Sequence, residues 1–235
     1  MKMPAKMLGL IGGMSWESSA QYYRLINEGV RAARGATASA RLLLWSFDFA
    51  EIEALQRAGD WPALTGLMID AAERLTGAGA EHLLICTNTM HLMAGEVEAA
   101  TGIPLLHIAD PAGAAIRAAG LGKVALLGTA FTMEQGFYRD RLAQRHGLEV
   151  LVPDAADRAT VHRVIYDELV AGQVNEASRQ AYREVIARLV ERGAQGIVLG
   201  CTEIMLLIGA DDSPVPLFDT TALHAAAAVD LLLAD

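Results

Sequence analysis

Two stretches of this chain repeat one another at a nearly fixed distance, and no other feature limits the fold so tightly. Gly12 and Gly128 each close an apolar run, 116 residues apart. Gly79-Ala80 and Gly193-Ala194 each end a helical pattern before another apolar run, 114 apart. Thr87 and Cys201 each follow that second run, again 114 apart, and Ile103-Pro104 and Val215-Pro216 open the next at an offset of 112. Four landmarks at a near-constant offset indicate a duplication, and two copies are too few for a solenoid.

Inside each copy, short apolar runs alternate with longer helical periods. Strands are expected over 7–11, 40–46, 82–86, 105–108, 123–127, 149–152, 196–199 and 215–218. Helices are expected over 15–34, 61–77, 94–101, 111–119, 133–145, 156–171, 176–192 and 221–233. That alternation defines an α/β fold with largely parallel sheets. The expected architecture is two similar lobes related by a pseudo-twofold axis, each a mostly parallel sheet flanked by helices. Residues 1–110 form the first lobe and 111–210 the second, with 211–235 packing its helix back on the first. Ligands of open α/β sheets bind beyond the carboxyl ends of the strands, so the active site is expected in an inter-lobe cleft.

Composition narrows the functional classes. The chain has 235 residues, 53% hydrophobic and 20% charged, which suits a globular protein with a substantial core. A formal net charge of −9 with no basic run argues against a nucleic-acid partner. The two cysteines form no CxxC, and no Cys/His spacing resembles a zinc site, so neither a structural disulfide nor a metal is expected. No apolar run is long enough to span a bilayer, and Met1-Lys2-Met3-Pro4-Ala5-Lys6 does not read as a signal peptide. The expected setting is a reducing cytoplasm, with a small molecule as ligand.

The chemistry sits where the runs end. Leu8-Gly9-Leu10-Ile11-Gly12-Gly13-Met14-Ser15 is a strand followed by a glycine turn, with Ser15 as helix N-cap. Neither G-x-G-x-x-G nor a P-loop is present, so the turn reads as an anion-accepting turn or an ordinary β–α connection. In Cys86-Thr87-Asn88-Thr89-Met90-His91, adjacent strand side chains point to opposite faces. Thr87 is therefore expected to reach the ligand and Cys86 to be buried as a small apolar residue. The N–H groups of Asn88 and Thr89 lie near a helix start, suited to a carboxylate. Gly200-Cys201-Thr202-Glu203 is the counterpart. A nearby helix N-terminus is expected to lower the Cys201 thiol from about 8.5 towards neutrality. Glu203 either orients a neighbour or caps the helix. Thr129 and Thr132, in Gly128-Thr129-Ala130-Phe131-Thr132, offer hydroxyls and N–H groups, with helix capping the plainer role for Thr132. His91, His107 and His224 stand singly and read as structural.

Taken in order, these four segments and Phe218-Asp219-Thr220 resemble the aspartate/glutamate racemase family, which works without pyridoxal phosphate. The pattern is most similar to its bacterial branch of broad-specificity or L-aspartate/glutamate-specific enzymes, and it covers nearly the whole chain. The resemblance implies an isomerase with no cofactor, often dimeric, that moves the α-proton of an amino acid between two groups. Family members generally use two cysteines, one per lobe. The second maps onto Cys201, but the first maps onto Thr87, as in some relatives. Asn88, Thr89, Thr129 and Thr202 match positions used for the substrate carboxylate and amine, and Met14, Thr132 and Glu203 adjoin them. The arginine that aspartate racemases place after the second strand is replaced here by Ser46-Phe47-Asp48-Phe49, leaving Arg158 or Arg163 as substitutes. The resulting expectation is cofactor-independent racemisation of aspartate or glutamate by Cys201 and Thr87. A broad-specificity racemase, a maleate-isomerase- or decarboxylase-like enzyme and a non-catalytic amino-acid binder remain alternatives.

Overall fold

The computed structural model describes residues 6–234; the opening five residues, part of the segment read above as lacking a signal peptide, lie outside the described residues. The chain divides into two compact units, residues 1–108 with 224–235, and 109–223. In the first, β1 (Leu8–Gly12) leads to α1 (Trp16–Arg34), β2 (Leu42–Ser46), α2 (Phe49–Ala58), α3 (Trp61–Gly77) and β3 (His82–Ile85). A 3-10 turn over Thr89–Met93 and α4 (Ala94–Thr101) follow. Among the described residues the sheet has the order β2-β1-β3, all parallel.

The second unit runs α5 (Ala109–Ala118), β4 (Lys123–Gly128), α6 (Ala130–Glu134), α7 (Gly136–His146), β5 (Glu149–Leu151) and α8 (Ala155–Asp167). It continues through α9 (Glu176–Glu191), β6 (Ile197–Gly200), α10 (Ile204–Leu207) and β7 (Leu217–Asp219). Its sheet, order β5-β4-β6-β7, is also parallel throughout. Helix α11 (Thr220–Leu233) begins in this unit and belongs to the first from His224 on.

The duplication read from sequence recurs as register. Leu10 pairs with Leu84 in the first unit and Leu126 with Val198 in the second, at the offsets 116 and 114. The isolated bridge between Leu83 and Leu105 corresponds to the pairing of Ile197 with Leu217, at offsets 114 and 112. A one-residue slip would turn every core side chain to the opposite face, so shared register means shared cores. Strands β1, β3, β4 and β6 are buried on both faces, which explains their unbroken apolar runs. Leu8, Leu10, Tyr22, Ala225, Ala228 and Leu232 pack on one face of the first sheet. Ile11, Met68, Leu83 and Ile85 pack on the other. Burying each large aliphatic side chain contributes about 1.5–3 kcal/mol.

Several elements depart from the sequence expectation for identifiable reasons. The expected strand over 105–108 reduces to the one bridge at Leu105, because Leu106 O and Ile108 N bond imidazoles instead of a neighbouring strand. The helix expected over 133–145 is two helices, broken where Gln135 adopts extended angles (φ −79°, ψ 142°). Helix α2, unanticipated, is nucleated by Asp48, whose carboxylate accepts from Ala50 N at 3.0 Å.

The turn after β1 tolerates only glycine. Gly13 has φ +83°, and an added Cβ would collide with the Phe47 backbone. Gly13→Ala is expected to cost about 1–3 kcal/mol, read as a lower urea midpoint with an unchanged m value; an unaltered midpoint would refute the requirement.

Candidate active site

In the first unit the ends of β1 and β3 are tied together by backbone and hydroxyl groups. Ser15 caps α1, accepting from Ser18 N at 3.3 Å. Ser19 Oγ accepts from Gly13 N at 2.8 Å and donates to Ser15 O at 3.1 Å. Ser18 Oγ donates to Cys86 O at 2.7 Å, while Cys86 N donates to Ile11 O at 2.8 Å. Both backbone groups of Cys86 are thus fixed, and its side chain is wholly buried. Burial pushes that thiol far above its ordinary range. Thr87, one residue on, is partly exposed. Asn88 and Thr89 are buried at the start of the 3-10 turn. Met14 buries its side chain in the core of this unit.

In the second unit β4 and β6 meet through glycines. An added Cβ on Gly128 would lie 2.9 Å from Gly200 O, so the two strand ends approach backbone to backbone. Thr129 caps α6: its hydroxyl accepts from Thr132 N at 3.3 Å. Thr132 is completely buried, with its own hydroxyl 3.2 Å from that of Thr129. Ala130 N donates to His162 Nδ1 at 3.1 Å. Thr129 and Cys201 thus lie one residue past adjacent, register-matched strand ends.

The strongest electrostatic feature of this unit is at Cys201. Its Sγ donates to Glu203 Oε2 at 2.9 Å, and Thr202 Oγ1 donates to the same oxygen at 2.7 Å. Glu203 is 7% exposed, whereas Cys201 and Thr202 are partly exposed. Glu203 makes no side-chain cap to α10, so of the two roles read from sequence the carboxylate takes that of orienting its neighbours. The expected lowering of the thiol towards neutrality is not found. Burial and the adjacent Glu203 carboxylate push it well above the ordinary range, against smaller opposing bonds from the Glu203 and Thr202 backbone. The physical reason is that α10 is a single turn of four residues, too short to set up a sizeable macrodipole. Both effects favour the protonated thiol, whose hydrogen bond runs to the Glu203 carboxylate.

Sequence reasoning passed over Ser19 and His162, which buttress these turns. His91, read as structural, is satisfied by backbone groups: its Nδ1 lies 2.8 Å from Thr87 O, four residues before it. Both arginines named as substitutes for the missing clamp hold carboxylates of their own unit. Arg158 Nε is 3.1 Å from Glu134 Oε1 and Arg163 Nη1 is 3.5 Å from Glu168 Oε1. Among the described residues there is no cluster of His, Cys, Asp and Glu able to hold a metal ion, and no helix long and apolar enough to cross a membrane.

Each unit is thus a parallel α/β sheet with hydroxyl or thiol side chains just past its strand ends. Residues 11–228 match the Asp/Glu/hydantoin racemase family, and the chain belongs to it. A crystal structure of a proposed Asp/Glu racemase from Yersinia pestis is 55% identical, covering 97% of this chain and 100% of that one, with a TM-score of 0.91. An aspartate racemase homologue from Pyrococcus horikoshii OT3 is 32% identical over 97% and 100% of the two chains, with a TM-score of 0.83. The broad-specificity amino-acid racemase of Bacillus subtilis (strain 168) is 26% identical over 71% of each chain.

The raised thiol yields a direct test. In the folded protein, iodoacetamide should alkylate Cys201 and spare Cys86, with a pH midpoint above the ordinary thiol range. Glu203→Gln removes the negative charge and should move that midpoint down. A midpoint that stays in place would remove Glu203 as the cause.

Proposed function

We propose that this protein racemises an amino acid, aspartate or glutamate, by exchanging the α-proton between Cys201 and Thr87 without pyridoxal phosphate. The observation that carries the reading is the 2.9 Å contact from the Cys201 thiol to the buried Glu203 carboxylate at the end of β6. A thiol is a useful base only when its own proton has somewhere to go. As Sγ takes the α-proton, the thiol proton passes to Glu203 Oε2, and the C–H electron pair spreads into the substrate carboxylate. That developing charge needs preorganised donors, and Thr202 with the turns at Asn88, Thr89 and Thr129 serves that purpose. Met14 contributes through its backbone, and Thr132 braces Thr129 from beneath.

On the opposite face the Thr87 hydroxyl, directly or through one water, returns a proton. An alcohol is a far weaker acid than a thiol, so the two directions run at unequal rates. Positioned acid–base groups of this kind are worth about 10²–10⁴ in rate. The resemblance in motif also supports a homodimer working in the cytoplasm. A second reading, broad specificity, is favoured by one observation: Arg158 and Arg163 are each engaged by a carboxylate of this chain.

The test is solvent deuterium entry at the α-carbon of single enantiomers, followed by NMR and chiral chromatography. Cys201→Ala should abolish entry from both enantiomers. Thr87→Ala should keep entry with retention for one enantiomer while stopping inversion. Entry at the wild-type rate in Cys201→Ala would overturn the reading. Exchange confined to aspartate and glutamate favours the first substrate class; exchange across neutral amino acids favours the second.

A further inference from the structure

The first unit contains a buried imidazole cluster that the proton-transfer scheme does not use. His91, His107 and His224 are 2%, 5% and 0% exposed, and their rings are close, with centroids 4.6 Å apart for His91–His107 and 5.8 Å for His91–His224. Their partners fix the protons of two of these rings. Ile108 N donates to His91 Nε2 at 3.2 Å. A backbone N–H can only donate, so Nε2 carries a lone pair and the ring hydrogen is on Nδ1. That Nδ1–H donates to the Thr87 carbonyl at 2.8 Å. His224 Nε2–H donates to Leu106 O at 2.7 Å, and His224 Nδ1 lies 2.8 Å from Tyr22 Oη. His91 is therefore neutral in one defined tautomer, and the two rings hold the segment 106–108 that failed to become a strand.

We propose that His91 is a positioning residue for Thr87: its Nδ1–H clamps the Thr87 carbonyl, while Ile108 N–H at Nε2 locks the ring in the tautomer that can do so. The clamp completes a chain of restraints on this turn. Cys86 is held at N by Ile11 and at O by Ser18, His91 N donates to Asn88 O at 3.1 Å, and the Thr87 carbonyl is held by the imidazole. Thr87 lies between fixed backbone on both sides, so its hydroxyl is carried on a peptide that cannot rotate. Burial and the two neighbouring histidines hold His91 well below the usual imidazole range, which keeps the acceptor at Nε2 available to Ile108. The inference rests on the proposed role of Thr87 in returning a proton. A misplacement of about 1 Å at such a group can cost about 10²-fold.

Two substitutions separate the two ring nitrogens. His91→Asn places an amide N–H near Nδ1 and keeps the clamp on Thr87 while losing the Ile108 acceptor. His91→Gln places its amide near Nε2 and loses the clamp. With single enantiomers in deuterated water, the readout is the ratio of inversion to total exchange, which a merely structural loss would leave unchanged. The expected result is a near wild-type ratio for His91→Asn and a fall of about tenfold or more for His91→Gln. A wild-type ratio in His91→Gln, or a proportional fall of exchange and inversion in both variants, overturns the proposal. If Thr87→Ala itself leaves inversion intact, the role of Thr87 fails rather than the clamp. Nitrogen-15 spectra of the wild-type histidines test the clamp without any variant. A neutral His91 protonated on Nδ1 is expected, and protonation on Nε2 or on both nitrogens at neutral pH refutes it.

Discussion

Parallel strand pairing in fixed register is the constraint on which the rest of this structure depends. Because β1 pairs with β3, and β4 with β6, through matching residues, each sheet delivers two chain ends to one edge. Parallel strands cannot be joined by hairpins, so each must be followed by a crossover, and every turn leaving the sheet lies at its carboxyl edge. Thr87 lies two residues past the end of β3 and Cys201 one residue past the end of β6. Their placement needs no special loop, only that Gly128 and Gly200 let neighbouring backbones approach and that Gly12 leaves room for the Ser19 side chain.

Around those ends the protein uses hydroxyl groups as short struts. Ser15, Ser18 and Ser19 bind the first unit's turn to α1 and β3, and Thr129 closes α6 over Thr132. Net gains from such bonds are about 1 kcal/mol each, too small to hold the fold, yet each also removes a degree of freedom from the turn it spans. Hydrophobic burial holds each unit together, and the struts orient the turns at its strand ends.

Much of this was legible in the sequence because repeats and apolar runs are long-range patterns that survive local noise. The offsets between Gly12 and Gly128 and between Thr87 and Cys201 carried the topology, and the alternation of faces separated buried Cys86 from partly exposed Thr87. What could not be read were contacts set by a handful of atoms. Leu105–Ile108 looks like a strand, but the backbone groups of Leu106 and Ile108 found imidazoles from elements 118 and 17 residues away. The Cys201 thiol was misjudged because its acidity depends first on burial and then on the orientation of Glu203. Neither is encoded in the Gly-Cys-Thr-Glu run itself.

The shared oxygen at Glu203 also bears on chemical durability. Peroxides attack sulfur as the anion, so a protonated, partly covered sulfur beside a negative charge is a slow target. The chain's other cysteine is enclosed in the core of the first unit and offers no disulfide by which such damage could be reversed. Keeping the proton on Cys201 thus shields from irreversible oxidation a position that has no spare.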